Sequence, residues 1–140
     1  MRYLGLDLGT KTLGIALSDR TNMIASPYKT LRFSENDYES LIPELKKIVS
    51  EYKITDFVLG LPKNMNNTLG FASERSLNFQ KLLEKHFDIP VHLIDERLTT
   101  VEAEKILIHT EHSRRQRKKV VDNVASALIL ETYLRRKEEK

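Results

Sequence analysis

Two apolar runs, Tyr3–Leu8 and residues 13–18, are joined by the turn-forming run Gly9-Thr10-Lys11-Thr12, so the chain opens on a predicted β-hairpin. The alternation puts Leu4, Leu6 and Leu8 on one face of the first strand and Tyr3, Gly5 and Asp7 on the other. A third strand is predicted over residues 24–33, where Pro27 argues for an edge or a bulge because proline cannot donate to a ladder. The spacing then becomes helical: Leu41, Ile42, Leu45, Ile48, Val49 and Tyr52 recur on one stripe, with Pro43 in the first turns. Asp56–Leu61 is a short apolar run of the kind that forms a buried parallel strand. Residues 73–86 give a second helix with Leu77, Phe79, Leu82 and Leu83 apolar, and residues 90–96 a fifth strand. In that strand His92, Ile94 and Glu96 share one face, with Val91, Leu93 and Asp95 on the other. Thr99 and Glu102 form a capping box that starts a helix with Ala103, Ile106 and Leu107 inward. Residues 120–135 predict a last helix facing inward through Val121, Val124, Ala125, Leu128 and Thr132, with Asp122 at the border of that stripe.

With 140 residues, 40% hydrophobic and 31% charged, the chain suits a single α/β domain over 1–140 with a core of its own. The absence of cysteine excludes a disulfide framework and thiolate zinc or redox chemistry, and points to a reducing compartment. No apolar run approaches the roughly 20 residues that span a bilayer, so a cytoplasmic protein without a membrane partner is expected. The net charge is only +3, but Arg114, Arg115, Arg117, Lys118 and Lys119 fall within one short stretch. Residues 109–119 read as a solvated, mobile loop, and such a loop can grip a phosphate backbone without reading its sequence. His109 and His112, with no third ligand near them, read as exposed histidines.

The candidate chemistry lies in the acids. Asp7 sits inside an apolar strand, where an unpaired carboxylate costs several kcal/mol, so it either braces the glycine turn or holds a cation. Glu96 and Arg97 fall in a strand-to-helix turn. There they form a surface ion-pair cluster with Asp95, or else Glu96 faces Asp7 across the sheet end while Arg97 faces phosphate. Asp122 reads either as a charge favouring the helix amino terminus or as a third acid of the same site. Lys63 and Asn64, at the carboxyl end of the fourth strand, suit a phosphate or base contact as well as a plain turn.

Four blocks carry a resemblance that runs nearly end to end. They are Asp7-Leu8-Gly9-Thr10-Lys11-Thr12-Leu13-Gly14-Ile15-Ala16, Gly60-Leu61-Pro62-Lys63-Asn64-Met65-Asn66, Asp95-Glu96-Arg97-Leu98-Thr99-Thr100 and Asp122-Asn123-Val124-Ala125-Ser126. In this order they resemble the YqgF family of RuvC-like nucleases, within the ribonuclease H-like fold. That resemblance implies a mixed five-stranded sheet flanked by helices, and phosphodiester hydrolysis, most directly 5′-end processing of pre-16S ribosomal RNA. Asp7, Glu96 and Asp122 would be the catalytic and metal-binding residues, holding two Mg²⁺ or Mn²⁺ ions roughly 3.5–4 Å apart, with Asp7 bridging. Lys11, Lys63, Asn64 and Arg97 are the implied phosphate contacts, and Arg114, Arg115, Arg117, Lys118 and Lys119 a looser grip on nucleic acid.

Other readings stay open beside this one. The family has also been proposed to resolve Holliday junctions, although RuvC-type resolvases use a fourth acid that has no clear match here. Asp7-Leu8-Gly9-Thr10-Lys11-Thr12 also resembles the first phosphate loop of sugar kinases and actin-like ATPases, which close two lobes on a nucleotide where this chain has length for one. A non-catalytic nucleic-acid-binding module is the third alternative. The expected partners are pre-rRNA or branched DNA, with ribosomal particles beside them, and the chain is expected to act as a monomer or a homodimer.

Overall fold

The computed structural model describes residues 2–19, 21, 24–62, 70–96 and 114–138, and within the last stretch the side chains of 125–137. The strands β1 (Tyr3–Leu8), β2 (Thr12–Ser18), β3 (Ala25–Arg32), β4 (Asp56–Leu61) and β5 (Val91–Asp95) form one sheet in the order β3-β2-β1-β4-β5. The pairs β1–β2 and β2–β3 are antiparallel, whereas β1–β4 and β4–β5 are parallel. The carboxyl ends of β1, β4 and β5 therefore reach the same edge of the sheet. The described helices are α1 (Ile42–Tyr52), entered through a 3₁₀ turn at Tyr38–Leu41 with Pro43 in its first turn, α2 (Phe71–His86) and α3 (Arg114–Glu138).

Both readings of Pro27 hold. β3 is an edge strand, and its pairing shifts register where Ile15 meets Lys29 and Ala16 meets Pro27, leaving Tyr28 as the extra residue. The alternation along β1 and β5 also holds, and it divides the interior into two cores. Leu4, Leu6, Leu8, Leu13, Ile15, Phe57 and Leu59 pack with Leu45 and Ile48 of α1 and Phe79 and Leu83 of α2. Across the sheet, Tyr3, Ala16, Val58 and Ile94 pack with Ala127, Ile129, Leu130 and Leu134 of α3.

The last helix departs from its prediction in two ways. It begins at Arg114, so Arg114, Arg115, Arg117, Lys118 and Lys119 are helical rather than part of a loop. Arginine, lysine and glutamine are good helix formers, and here that propensity outweighs the cost of positive charge at a helix amino terminus. Its sheet-facing row is also rotated from the predicted stripe. Leu128 and Thr132 are buried, but Ile129, Leu130 and Leu134 are the residues packed on the strands. Ser126 to Leu130 are buried without interruption, so periodicity alone could not pick out the face that meets the sheet. The carboxyl-terminal half of α3 is further held by Tyr133, which stacks on His92 at 5.0 Å, while His92 Nε2 lies 2.8 Å from Asp56 Oδ2 and Lys137 donates to the Tyr3 hydroxyl. The helix predicted from Thr99, and the loop and histidine readings over 63–69 and 109–113, lie outside the described residues.

Candidate active site

Asp7 is the fifth residue of β1, opposite Gly14 of β2, on the sheet face that α3 covers. Glu96 follows β5 directly and continues its alternation onto that same face. Because β1, β4 and β5 run parallel, the two acids arrive at one edge with only β4 between them. There their carboxyl groups are hydrogen-bonded to each other.

Gly60 of β4 makes room for this pair. A Cβ at Gly60 would run into the Glu96 carboxyl and come within 2.7 Å of Ile129 Cδ1. Beside it, Gly5 lets α3 lie close on the sheet, since a Cβ there would stand 2.8 Å from Leu130 Cβ and 2.9 Å from the Ser126 carbonyl oxygen. The acids thus sit under a tightly seated helix, on a floor kept clear of side chains.

Two carboxyl groups in contact cannot both ionise cheaply. Burial pushes Glu96 up to about 8, and the hydrogen bond to Asp7, the Asp7 charge and the Asp95 charge push the same way. Near neutral pH Glu96 keeps its proton and donates it to Asp7. The pair therefore holds one positive charge between two carboxylates, and its donors are hard oxygens of the kind that Mg²⁺ and Mn²⁺ take. Among the described residues no third acid or histidine joins them in a metal-binding group.

Asp122 is part of α3, and its side chain lies outside the described residues. Along the helix it comes four residues before Ser126 and seven before Ile129. Since α3 starts at Arg114, Asp122 lies more than two turns inside it, too far from the amino terminus to act through the helix dipole. Lys11 is exposed in the β1–β2 turn, at the same sheet edge as Asp7, and its carbonyl accepts from the Phe33 amide at 2.9 Å. Lys63, Asn64 and Arg97, and the side chains of Arg114, Arg115, Arg117, Lys118 and Lys119, lie outside the described residues.

Two contributors, Asp95 and Gly60, escaped sequence reasoning, and a third was read by its size. Asp95 was legible only as a surface charge, yet its carboxylate acts on Glu96. Gly60 carried a signal, a glycine inside the apolar run that follows Asp56 in β4. Ser126, buried against Gly14 and Gly5, is legible in the sequence as a small residue that allows the helix to approach the sheet closely.

An antiparallel hairpin and edge strand followed by parallel strands, with an acid at the end of β1 and another after β5, define a ribonuclease H-like α/β protein. Solved structures agree: a Thermus thermophilus RuvC in complex with a Holliday junction substrate matches with a TM-score of 0.62 at 13% identity, over 96% of this chain and 95% of that one. The chain belongs to the RuvX family, described as Holliday junction resolvase, whose model matches residues 1–136. This is the family of RuvC-like nucleases that the four sequence blocks resemble. An Oceanobacillus iheyensis relative with the provisional name pre-16S rRNA nuclease is 48% identical over 137 residues, covering 98% of this chain and all of its own. A ROK hexokinase from Thermus thermophilus shares the fold at a TM-score of 0.50 and 19% identity, over 74% of this chain but only 38% of that one.

Proposed function

We propose that Asp7, Glu96 and Asp122 form a divalent-metal centre that hydrolyses phosphodiester bonds, and that its substrate is the 5′ end of pre-16S ribosomal RNA. The observation that carries this reading is the Asp7–Glu96 pair, two hard-oxygen ligands held together at the carboxyl edge of the sheet by a shared proton that a metal ion can replace. Mg²⁺ or Mn²⁺ bound there supplies an activated water and stabilises charge on the leaving oxygen. Asp7 and Glu96 give up their shared proton and present carboxylate oxygens from rigid strands. Asp122, carried by α3, adds a third carboxylate. Lys11, exposed at the same edge, meets the phosphate of the incoming strand. The test is cleavage of a labelled 16S rRNA precursor beside a four-way DNA junction. Metal-dependent cutting of the precursor is expected, and preference for the junction would favour resolution instead.

Junction resolution is the second reading, and the family description favours it. The kinase-like reading recedes because the likeness to the hexokinase, at 19% identity, is one of fold alone, whereas the family whose model matches residues 1–136 is described as Holliday junction resolvase.

The acid pair also fixes how stability responds to pH. The Glu96 pKa of about 8 stands above its ordinary value of 4.5, so the folded state binds a proton more tightly than the unfolded chain. In metal-free buffer, stability from this group is full below about pH 4.5 and falls as pH rises to about 8, then levels off. Mg²⁺ or Mn²⁺ is expected to raise the melting temperature more at pH 8 than at pH 5. An equal metal effect at both pH values would detach the ion from this pair.

Replacing Arg114, Arg115, Arg117, Lys118 and Lys119 together by alanine is expected to weaken RNA binding and to flatten its dependence on salt. Each lost phosphate contact lowers the slope of log affinity against log salt by about 0.7–0.9. Binding isotherms over a salt series measure this, and an unchanged slope would take the amino-terminal turns of α3 out of the interface.

A further inference from the structure

Phe71 is 87% exposed, whereas Phe33, Phe57 and Phe79 are at most 9% exposed. It is the first residue of α2, and that helix turns Ser73, Ser76, Phe79 and Leu83 toward the interior. By helix periodicity Phe71 lies on the opposite side from that row, so the packing of α2 does not call for an aromatic there. Its mounting is firm. The Ser73 hydroxyl donates to the Pro62 carbonyl, and Phe79 and Leu83 are buried in the core. Pro62 directly follows β4, whose Leu61 pairs with Asp95, the neighbour of Glu96. The ring thus stands on a fixed helical turn at the carboxyl edge of the sheet, where the acid pair also lies, but on the α2 side of the sheet rather than the α3 side.

We propose that Phe71 is a binding residue on which an unpaired nucleobase stacks as the strand addressed by the acid pair crosses the carboxyl edge of the sheet. This rests on the nucleic-acid reading above and adds to it a preference for single-stranded substrate. An aromatic face accepts any base, but the bases inside a duplex already have both faces covered by their neighbours. The site therefore favours strands with bases free to turn outward, without choosing among sequences.

The chain has no tryptophan, so Phe71→Trp puts a single reporter at this position. The experiment uses that variant in the full-length chain carrying Asp7→Asn, with chelator, so that nothing is cut. Labelled single-stranded RNA, DNA of the same sequence, a duplex RNA and an abasic strand are titrated, with anisotropy reporting binding and tryptophan emission reporting stacking. Single strands should bind and quench the emission, the stronger of RNA and DNA marking the source. The abasic strand and the duplex should bind without quenching. Phe71→Ala should weaken single-strand binding by about 5- to 150-fold and leave duplex binding unchanged. Binding of single strands without quenching, together with unchanged affinity in Phe71→Ala, would overturn the stacking role alone. Absence of any binding by anisotropy would overturn it together with the nucleic-acid reading.

Discussion

Asp7→Asn is expected to lower the rate of phosphodiester cleavage by about 10²- to 10⁴-fold, the several kcal/mol that metal-held charge contributes to such a transition state. The fold should survive, because asparagine keeps the size of the side chain and can still hydrogen-bond Glu96. Removing the Asp7 charge takes away one of the influences that hold the Glu96 proton, so the titration of Glu96 should move down toward its ordinary range. The loss of stability between about pH 4.5 and about 8 should shrink with it. Cleavage rates, RNA binding and thermal melts across pH measure the three consequences. An unfolded Asp7→Asn protein would return Asp7 to a structural brace of the glycine turn, and an unimpaired one would move the chemistry elsewhere.

Gly5→Ala should have the largest effect on stability of any single methyl group added at this face. The new Cβ would meet Leu130 Cβ at 2.8 Å and the Ser126 carbonyl oxygen at 2.9 Å, and the second of these is backbone that cannot rotate away. Relief requires α3 to lift from β1, at a cost of about 1–3 kcal/mol typical of an overpacked core. Asp122 rides on the same helix, one turn before Ser126, so activity should fall further than stability alone explains. Denaturant unfolding beside cleavage measured well below the melting temperature separates the two effects. Wild-type stability in this variant would mean that α3 has slack against the sheet.

The sheet was legible because its information is local. Alternation in Tyr3–Leu8, the glycine turn after it and the continuous apolar run of Asp56–Leu61 each fix a strand within a few residues, and Pro27 marks the edge by its missing donor. The resemblance of four ordered blocks supplied the class of sheet, mixed and five-stranded, while the strand order β3-β2-β1-β4-β5 is read only from the fold. The last helix was harder. Its basic first turns look like a loop by charge, and residues 126–130 are apolar or small all the way round, so no stripe marks the face that meets the sheet. For the same reason periodicity sets Asp122 only at the border of the inward stripe.

The acid pair was legible only in part. Alternation placed Asp7 and Glu96 on their faces, but that the two carboxyl groups touch depends on both strands being parallel neighbours of β4 and on a glycine in that strand. Both are long-range facts. The charge of Asp95 on Glu96 is likewise a property of the folded edge, where a residue on the opposite face of β5 still lies close to the site.

Whether Asp7 and Glu96 share a divalent cation is decided by anomalous diffraction from crystals of the protein soaked in Mn²⁺ at a pH above the Glu96 pKa of about 8. The expected result is an anomalous peak coordinated by oxygens of both carboxylates, with the hydrogen bond between them gone. Manganese bound only elsewhere, with Asp7 and Glu96 still joined carboxyl to carboxyl, would contradict it.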